Sequence, residues 1–297
     1  MTPKGKLIII GGAVDKGSFT EKNYENEIEK NINFFEEGIL KRIIIESSKG
    51  IFSRIEVVTT ASQIPEIVGK EYVKAFSYLG VENVDVMNIL SRETANSDLI
   101  CNRLKNADIV MFTGGDQLRL TSILGGTNFH NLLEDKYLNH EFLIAGTSAG
   151  AAACSTNMIY QGSASEALLK GEIKITSGLG LIDDVIIDTH FVHRGRIGRL
   201  FQAVVGNPRV LGIGLGEDTG LLITQGKLME AIGSGLVMLV DGRKIDQTNI
   251  TQINMGEPIS ISNLIVHVLA KGDKYNLEKH KFNISEVVHQ LEKNDEN

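Results

Sequence analysis

The sequence predicts an α/β fold: a mostly parallel sheet flanked by helices, with β-hairpins added on its C-terminal side. Three observations lead there. Short apolar runs alternate with helical stripes as far as Leu200, the pattern of a parallel sheet covered by helices. Several of those runs end in glycines, as turns at the carboxyl ends of strands do. Residues 221–273 then carry β-branched runs broken by Gln225-Gly226, Asp241-Gly242 and Gly256-Glu257-Pro258, which read as hairpins added to one edge or layer.

The elements follow in order. Residues 6–10 form a nearly all-apolar strand suited to a sheet centre. The Gly11-Gly12 that follows matches neither G-x-G-x-x-G nor G-x-x-x-x-G-K-[ST], so it reads as a tight turn lining a cleft and not as a phosphate loop. Residues 21–30 are polar and charged, a surface insertion. Phe34, Phe35, Ile39, Leu40, Ile43 and Ile44 make a helical stripe over 34–47. A strand at 55–59 precedes a helix at 64–79 that Gly80 ends. A strand at 83–89, a helix at 93–105 and a strand at 108–112 come next. Helices at 118–124 and 128–138 are split by Gly125-Gly126, and residues 142–145 form a buried strand. Residues 157–177 lack periodicity and read as a loop walling a site. Strands at 185–187 and 210–215, a C-terminal amphipathic helix at 284–291 and a frayed end at 293–297 complete the chain. No linker interrupts it, so residues 1–297 are expected to form one domain.

Hydrophobic content of 42% and charged content of 23% suit a globular protein with a sizeable core. A net charge of −7 argues against general nucleic-acid or membrane-surface binding. Cys101 and Cys154 lie far apart in helical contexts and are expected to be reduced core thiols. No run reaches transmembrane length, and the residues before the first strand lack a signal-peptide core, which predicts a cytoplasmic protein. No cofactor or metal signature is present.

Chemistry concentrates at Gly146-Thr147-Ser148-Ala149-Gly150, a G-x-S-x-G between a strand and the small residues Ala151-Ala152-Ala153. Strand, glycine-flanked serine and helix is the context of a nucleophile elbow. The bland alternative is a glycine-rich turn with an incidental serine. In an elbow the Ala149 N–H faces a developing oxyanion. The strand at 108–112 ends in Thr113-Gly114-Gly115-Asp116-Gln117, a turn expected at the same crevice. Gly115 is therefore the candidate second oxyanion donor; a plain β–α turn is the alternative.

A serine nucleophile needs a base and an acid to orient it. Of the histidines, His130, His140, His267, His280 and His289 fall in helix, hairpin or surface contexts. Only His190 and His193 follow a buried strand after the elbow, and His190 sits at the strand end. Asp188, Glu217 and Asp218 are the acid candidates. Glu217 also ends a strand and is preferred; Asp188, two residues before His190, suits a substrate contact better. The resulting order, Ser then His then acid, differs from the Ser, acid, His order of ordinary α/β-hydrolases. Arg194, Arg196 and Arg199 form a local basic cluster that either holds substrate carboxylates or makes ion pairs on a solvated helix face.

With these residues in hand, the chain resembles the serine peptidase family of cyanophycinase and peptidase E, whose fold is related to class I glutamine amidotransferases. The markers are Gly11-Gly12-Ala13, the 113–117 turn, Gly146 to Ala151, the string from Asp188 to Leu200 with its three arginines, and residues 214–219. The resemblance spans residues 6 to about 272, and the Asp-x-His-Phe-x-x-Arg-x-Arg-x-x-Arg string favours the cyanophycinase branch.

The resemblance implies Ser148 as nucleophile, His190 as base and Glu217 as orienting acid, with Gln117, Asp188, Arg194, Arg196 and Arg199 at substrate-pocket positions. It implies cyanophycin, multi-L-arginyl-poly-L-aspartate, as substrate, with β-Asp-Arg released from the chain end by an intracellular homodimer. Val14 and Thr189 depart from the family pattern, where an acid and Gln are expected. The alternatives are a peptidase E-like α-aspartyl dipeptidase and a non-catalytic binding protein of the same fold. A glutamine amidotransferase would carry Cys in place of Ser148.

Overall fold

The computed structural model describes residues 2–17 and 33–285. The expected insertion at 21–30 and the residues from 286 onward lie outside them. Two mixed sheets, flanked by helices, form the molecule. The first holds β1 (Lys6–Ile10), β2 (Ile55–Val58), β3 (Val84–Met87), β4 (Ile109–Phe112), β5 (Leu143–Thr147), β10 (Thr219–Thr224), β11 (Leu228–Gly233), β14 (Lys274–Asn276) and β15 (Lys281–Asn283), in the order β15-β14-β11-β10-β1-β5-β4-β2-β3. The second holds β6 (Ser155–Gln161), β7 (Lys174–Ser177), β8 (Ile182–Thr189), β9 (Leu211–Leu215), β12 (Val237–Asp241) and β13 (Ile265–Leu269), in the order β13-β12-β9-β8-β6-β7.

The α/β class read from the sequence is what the structure has, and the C-terminal hairpins are present. They divide, however: β10–β11 extends the first sheet and β12–β13 the second. The stretch expected to be a wall-forming loop, 157–177, instead supplies part of β6 and all of β7. Its polar composition reflects an edge position, since β7 pairs with β6 alone and is mostly exposed.

The helices are α1 (Ile39–Glu46), α2 (Pro65–Tyr78), α3 (Arg92–Ala95), α4 (Asp98–Asn106), α5 (Gln117–Leu124), α6 (Asn128–Asn139), α7 (Ala149–Ala152) and α8 (Ile197–Gly206). The single helix expected at 93–105 is two, because Ser91 and Ser97 each cap a separate N-terminus by accepting a backbone N–H. Asp116 and Thr127 cap α5 and α6 in the same way.

Alternation along β1 shows how the layers form. Ile8 and Ile10 face α1 and α2, where Leu40, Ile43, Tyr72 and Phe76 cover them. Leu7 and Ile9 face the other way, into a core that also contains Ile187, Ile213 and Leu239 of the second sheet. One core thus joins both sheets. Helix α8 closes the outer face of the second sheet through Leu200, Ala203 and Val204. Cys154 is buried, with its thiol pushed up to about 12 by burial; Cys101 is only half-buried, not a core thiol as expected.

One polar feature inside this packing escaped the sequence reading. Lys136 on α6 is buried, and its Nζ donates to the carbonyls of Leu104, Lys105 and Ala107 at 2.9, 2.9 and 2.6 Å. These are carbonyls left over at the end of α4, and the ammonium also lies 4.5 Å from the Phe142 ring centroid. Lys136→Met removes the donor and leaves those acceptors unpaired. It is expected to lower unfolding free energy by about 2–3 kcal/mol in urea titrations.

Candidate active site

The site lies where the chain passes between the two sheets. It leaves the first sheet at the end of β5, turns through Ser148 into the short α7, and enters the second at β6. It returns through residues 216–218, between β9 and β10. Ser148 sits in that first crossing, Glu217 in the return, and His190 at the end of β8.

Ser148 has φ 51° and ψ −112°, a left-handed φ that a non-glycine residue adopts only under local constraint. Its N–H donates to Ile10 O at 2.9 Å. The flanking glycines are dictated by space. A Cβ on Gly146 would lie 2.5 Å from Gly150 O, and one on Gly150 would lie 2.6 Å from Phe112 O. The small residues after Ser148 are buried against both sheets, and α7 is a single turn.

His190, also at positive φ, is held by its backbone N–H donating to Gly11 O at 2.8 Å. Its Nε2 lies 3.0 Å from Ser148 Oγ, and its Nδ1 lies 2.9 Å from Glu217 Oε1. Glu217 is followed by Asp218, whose N–H donates to Gly12 O at 2.8 Å. Serine, histidine and carboxylate are thereby hydrogen-bonded in series. Burial pushes His190 below the ordinary imidazole range, and Arg194 and Arg196 add to this against the pull of Glu217. The hydrogen bond with His190 holds Glu217 below the usual carboxylate range.

The Gly114-Gly115 turn comes up beside the serine: a Cβ on Gly114 would lie 3.3 Å from Ser148 Cβ. Gly115 has φ 145° and packs so tightly on Ala61 that a Cβ would lie 2.1 Å from the Ala61 carbonyl oxygen. Neither the Gly115 nor the Ala149 N–H donates to an acceptor among the described residues.

The remaining candidates are distributed unevenly. Gln117, half-buried at the start of α5, donates its amide to Ile159 O at 3.0 Å. Asp188 is buried, and its carboxylate is taken up internally, 3.3 Å from Arg196 Nη1 and 3.2 Å from Arg199 Nε. Burial pushes Asp188 up, against the effect of Arg199 and Arg196. Arg199 is buried as well, and Arg196 also donates to Thr189 O at 2.9 Å. Arg194 is exposed beside His190. Thus the buried Asp188 and Arg199 and the half-buried Arg196 meet as one ion cluster between the end of β8 and the start of α8, and Arg194 alone of the three arginines stands free of it. Val14 and Thr189 are both buried.

Two features were missed in the sequence. His193 lies 3.6 Å from the second Glu217 oxygen, a contact that no spacing rule indicates. Gly12, at φ 117°, leaves the space the imidazole fills, since a Cβ there would lie 2.3 Å from His190 Cε1. The Gly11-Gly12 pair was visible as a cleft-lining turn, but not its partner. Among the described residues no group of three or more His, Cys, Asp or Glu could hold a metal ion, and no helix is long and apolar enough to cross a membrane.

A serine, histidine and carboxylate in hydrogen-bonded series at a strand–helix turn is the constellation of serine hydrolases. Residues 17–231 match the model of peptidase family S51. The chain is 36% identical over 223 residues to a cyanophycinase of Trichormus variabilis, covering 75% of each chain. It is 32% identical over 278 residues to cyanophycinases of Synechococcus elongatus, covering 94% of this chain and 81% of that one, and of Geminocystis herdmanii, covering 94% and 96%. The chain therefore belongs to peptidase family S51 and is a serine peptidase. Its fold is similar to that of a crystal structure of a peptidase from an acI-B1 Actinobacterium, with a TM-score of 0.63 at 20% identity, covering 93% of this chain and 98% of that one.

Gly12→Ala is expected to leave the protein folded but displace the imidazole, lowering turnover roughly 100-fold. A thermal melt alongside the steady-state assay checks both halves of that expectation.

Proposed function

We propose that this peptidase hydrolyses cyanophycin to β-Asp-Arg dipeptides from the chain end, through an acyl-enzyme on Ser148. The observation that carries the reading is the hydrogen-bonded series Ser148 Oγ–His190 Nε2 at 3.0 Å and His190 Nδ1–Glu217 Oε1 at 2.9 Å. The cyanophycinase relatives support the substrate. The resemblance alone supports a cytoplasmic homodimer.

In this mechanism His190, kept neutral at neutral pH by burial, takes the Ser148 hydroxyl proton as Oγ attacks the scissile carbonyl. Glu217 stabilises the imidazolium that forms and fixes the tautomer with Nδ1 protonated. The Gly115 and Ala149 N–H groups receive the oxyanion. His190 then gives its proton to the leaving amine, and water, activated through the same imidazole, hydrolyses the ester.

Each aspartate of the polymer carries arginine on its β-carboxyl, so the groups flanking the scissile bond are bulky and charged. Arg194, free of the buried cluster, is the cation placed to meet a substrate carboxylate. Arg196, Arg199 and Asp188 are read as the frame under the pocket, with Gln117 as its edge. An overall charge of −7 suits an arginine-studded polymer.

Digestion of purified cyanophycin by the wild type and by Ser148→Ala, with products identified by mass and linkage, tests the reading. Release of β-Asp-Arg by the wild type is expected, with at least about a 1000-fold loss in Ser148→Ala. Cleavage of small α-Asp-X dipeptides in its place would assign the chain to the peptidase E type. Inactivity on both substrates would leave a binding protein.

The acid side of the pH profile follows from His190. The base works deprotonated, so kcat/KM falls as pH drops through a His190 pKa below its ordinary 6.5. In Glu217→Gln the carboxylate no longer pulls that value up. The acid limb is expected to move to still lower pH while kcat decreases, as measured in pH–rate profiles.

A further inference from the structure

Glu217 is not buried as an orienting acid usually is; its side chain is 30% exposed. An acid that orients a histidine works only if its own rotamer is held. The Glu217 backbone is fixed by the adjoining Asp218 N–H on Gly12 O and by Thr219 Oγ1 on Glu217 O at 2.9 Å. The side chain has less support. Oε1 accepts from His190, and Oε2 lies 3.6 Å from His193 Nε2. Among the described residues no other side chain contacts this carboxylate through an ion pair or hydrogen bond.

His193 is well placed for this by its own turn. The N–H groups of Arg194, Gly195 and Arg196 donate to the carbonyls of His190, Val192 and Phe191 at 3.0, 3.1 and 3.0 Å. Phe191, fully buried, anchors the turn in the core under α8. His190 and His193 therefore rise from one rigid turn and meet the two oxygens of one carboxylate. The other charged groups acting on Glu217 and His190 are Arg194 and Arg196, and neither makes a contact with the carboxylate.

We propose that His193 is a positioning residue: it holds the second oxygen of Glu217 so that the first stays aligned on His190 Nδ1. The inference rests on the triad reading given above. The contact is 3.6 Å long and the His193 side chain is 63% exposed, so its contribution is that of a solvent-screened polar contact.

The test is a double-mutant cycle on cyanophycin with the wild type, His193→Ala, Glu217→Gln and the double variant. His193→Gln and Ser148→Ala accompany them, and thermal melts follow folding. His193→Ala is expected to lower kcat about 2- to 5-fold with KM unchanged. His193→Gln, which keeps a donor, is expected to recover most of that loss. In the Glu217→Gln background His193→Ala is expected to cost nothing further. An equal loss in both backgrounds, or a rise in KM alone, would overturn the proposal. Full turnover in Ser148→Ala would remove the triad reading and this proposal with it, whereas an inactive Ser148→Ala with an additive cycle sinks only the positioning role.

Discussion

The site depends on the backbone at the end of the first strand. Ile10, Gly11 and Gly12 offer their carbonyls to the N–H groups of Ser148, His190 and Asp218 at 2.9, 2.8 and 2.8 Å. The Gly11 N–H in turn donates to Thr219 O at 2.8 Å. Three segments from two sheets are thus tied to one short stretch of main chain, and the side chains they carry meet as a consequence. Its central residue has no room for a side chain: a Cβ on Gly11 would lie 1.9 Å from Gly216 O. The position of β1, parallel to β5 and antiparallel to β10, brings the strand ends to this seam.

Strain and burial at the seam serve the same geometry. Ser148, His190 and Asp218 all have positive φ without being glycine, an arrangement that persists only where the surroundings over-determine it. The backbone bonds to the hub and the packing of Ala149, Gly150 and Ala151 provide that constraint. Burial keeps His190 neutral, while the hydrogen bond with His190 keeps the half-buried Glu217 ionised.

The buried ion cluster of Asp188 with Arg196 and Arg199 works at one remove from the chemistry. Breaking a buried pair leaves an uncompensated charge, so the cluster constrains the chain on either side of it. It ties the end of β8 to the start of α8, the segment from which His190 and His193 emerge. A basic string that looks like a binding motif in one dimension is partly scaffold in three, with Arg194 left as its outward cation.

Much of the fold and of the site was legible. The G-x-S-x-G between an apolar strand and small residues pointed to Ser148 as the candidate nucleophile, and the glycines are imposed by local clashes that any elbow must avoid. The strand-end positions of His190 and Glu217 pointed to one crevice, because parallel strands deliver their carboxyl ends to the same edge. Edge strand β7 was lost to its polar composition, and the split of α3 from α4 to capping serines inside a continuous stripe. Local sequence thus determined the strands and helices, the sharp turn at Ser148 and the residue types available for catalysis, since sterics and periodicity act between near neighbours. Only the tertiary structure decided that two sheets share the core, that Gly12 makes room for His190, that Asp188 serves an internal pair, and that His193 reaches Glu217. Each of those joins residues distant in sequence or turned by a loop, and no periodicity encodes a contact made through space.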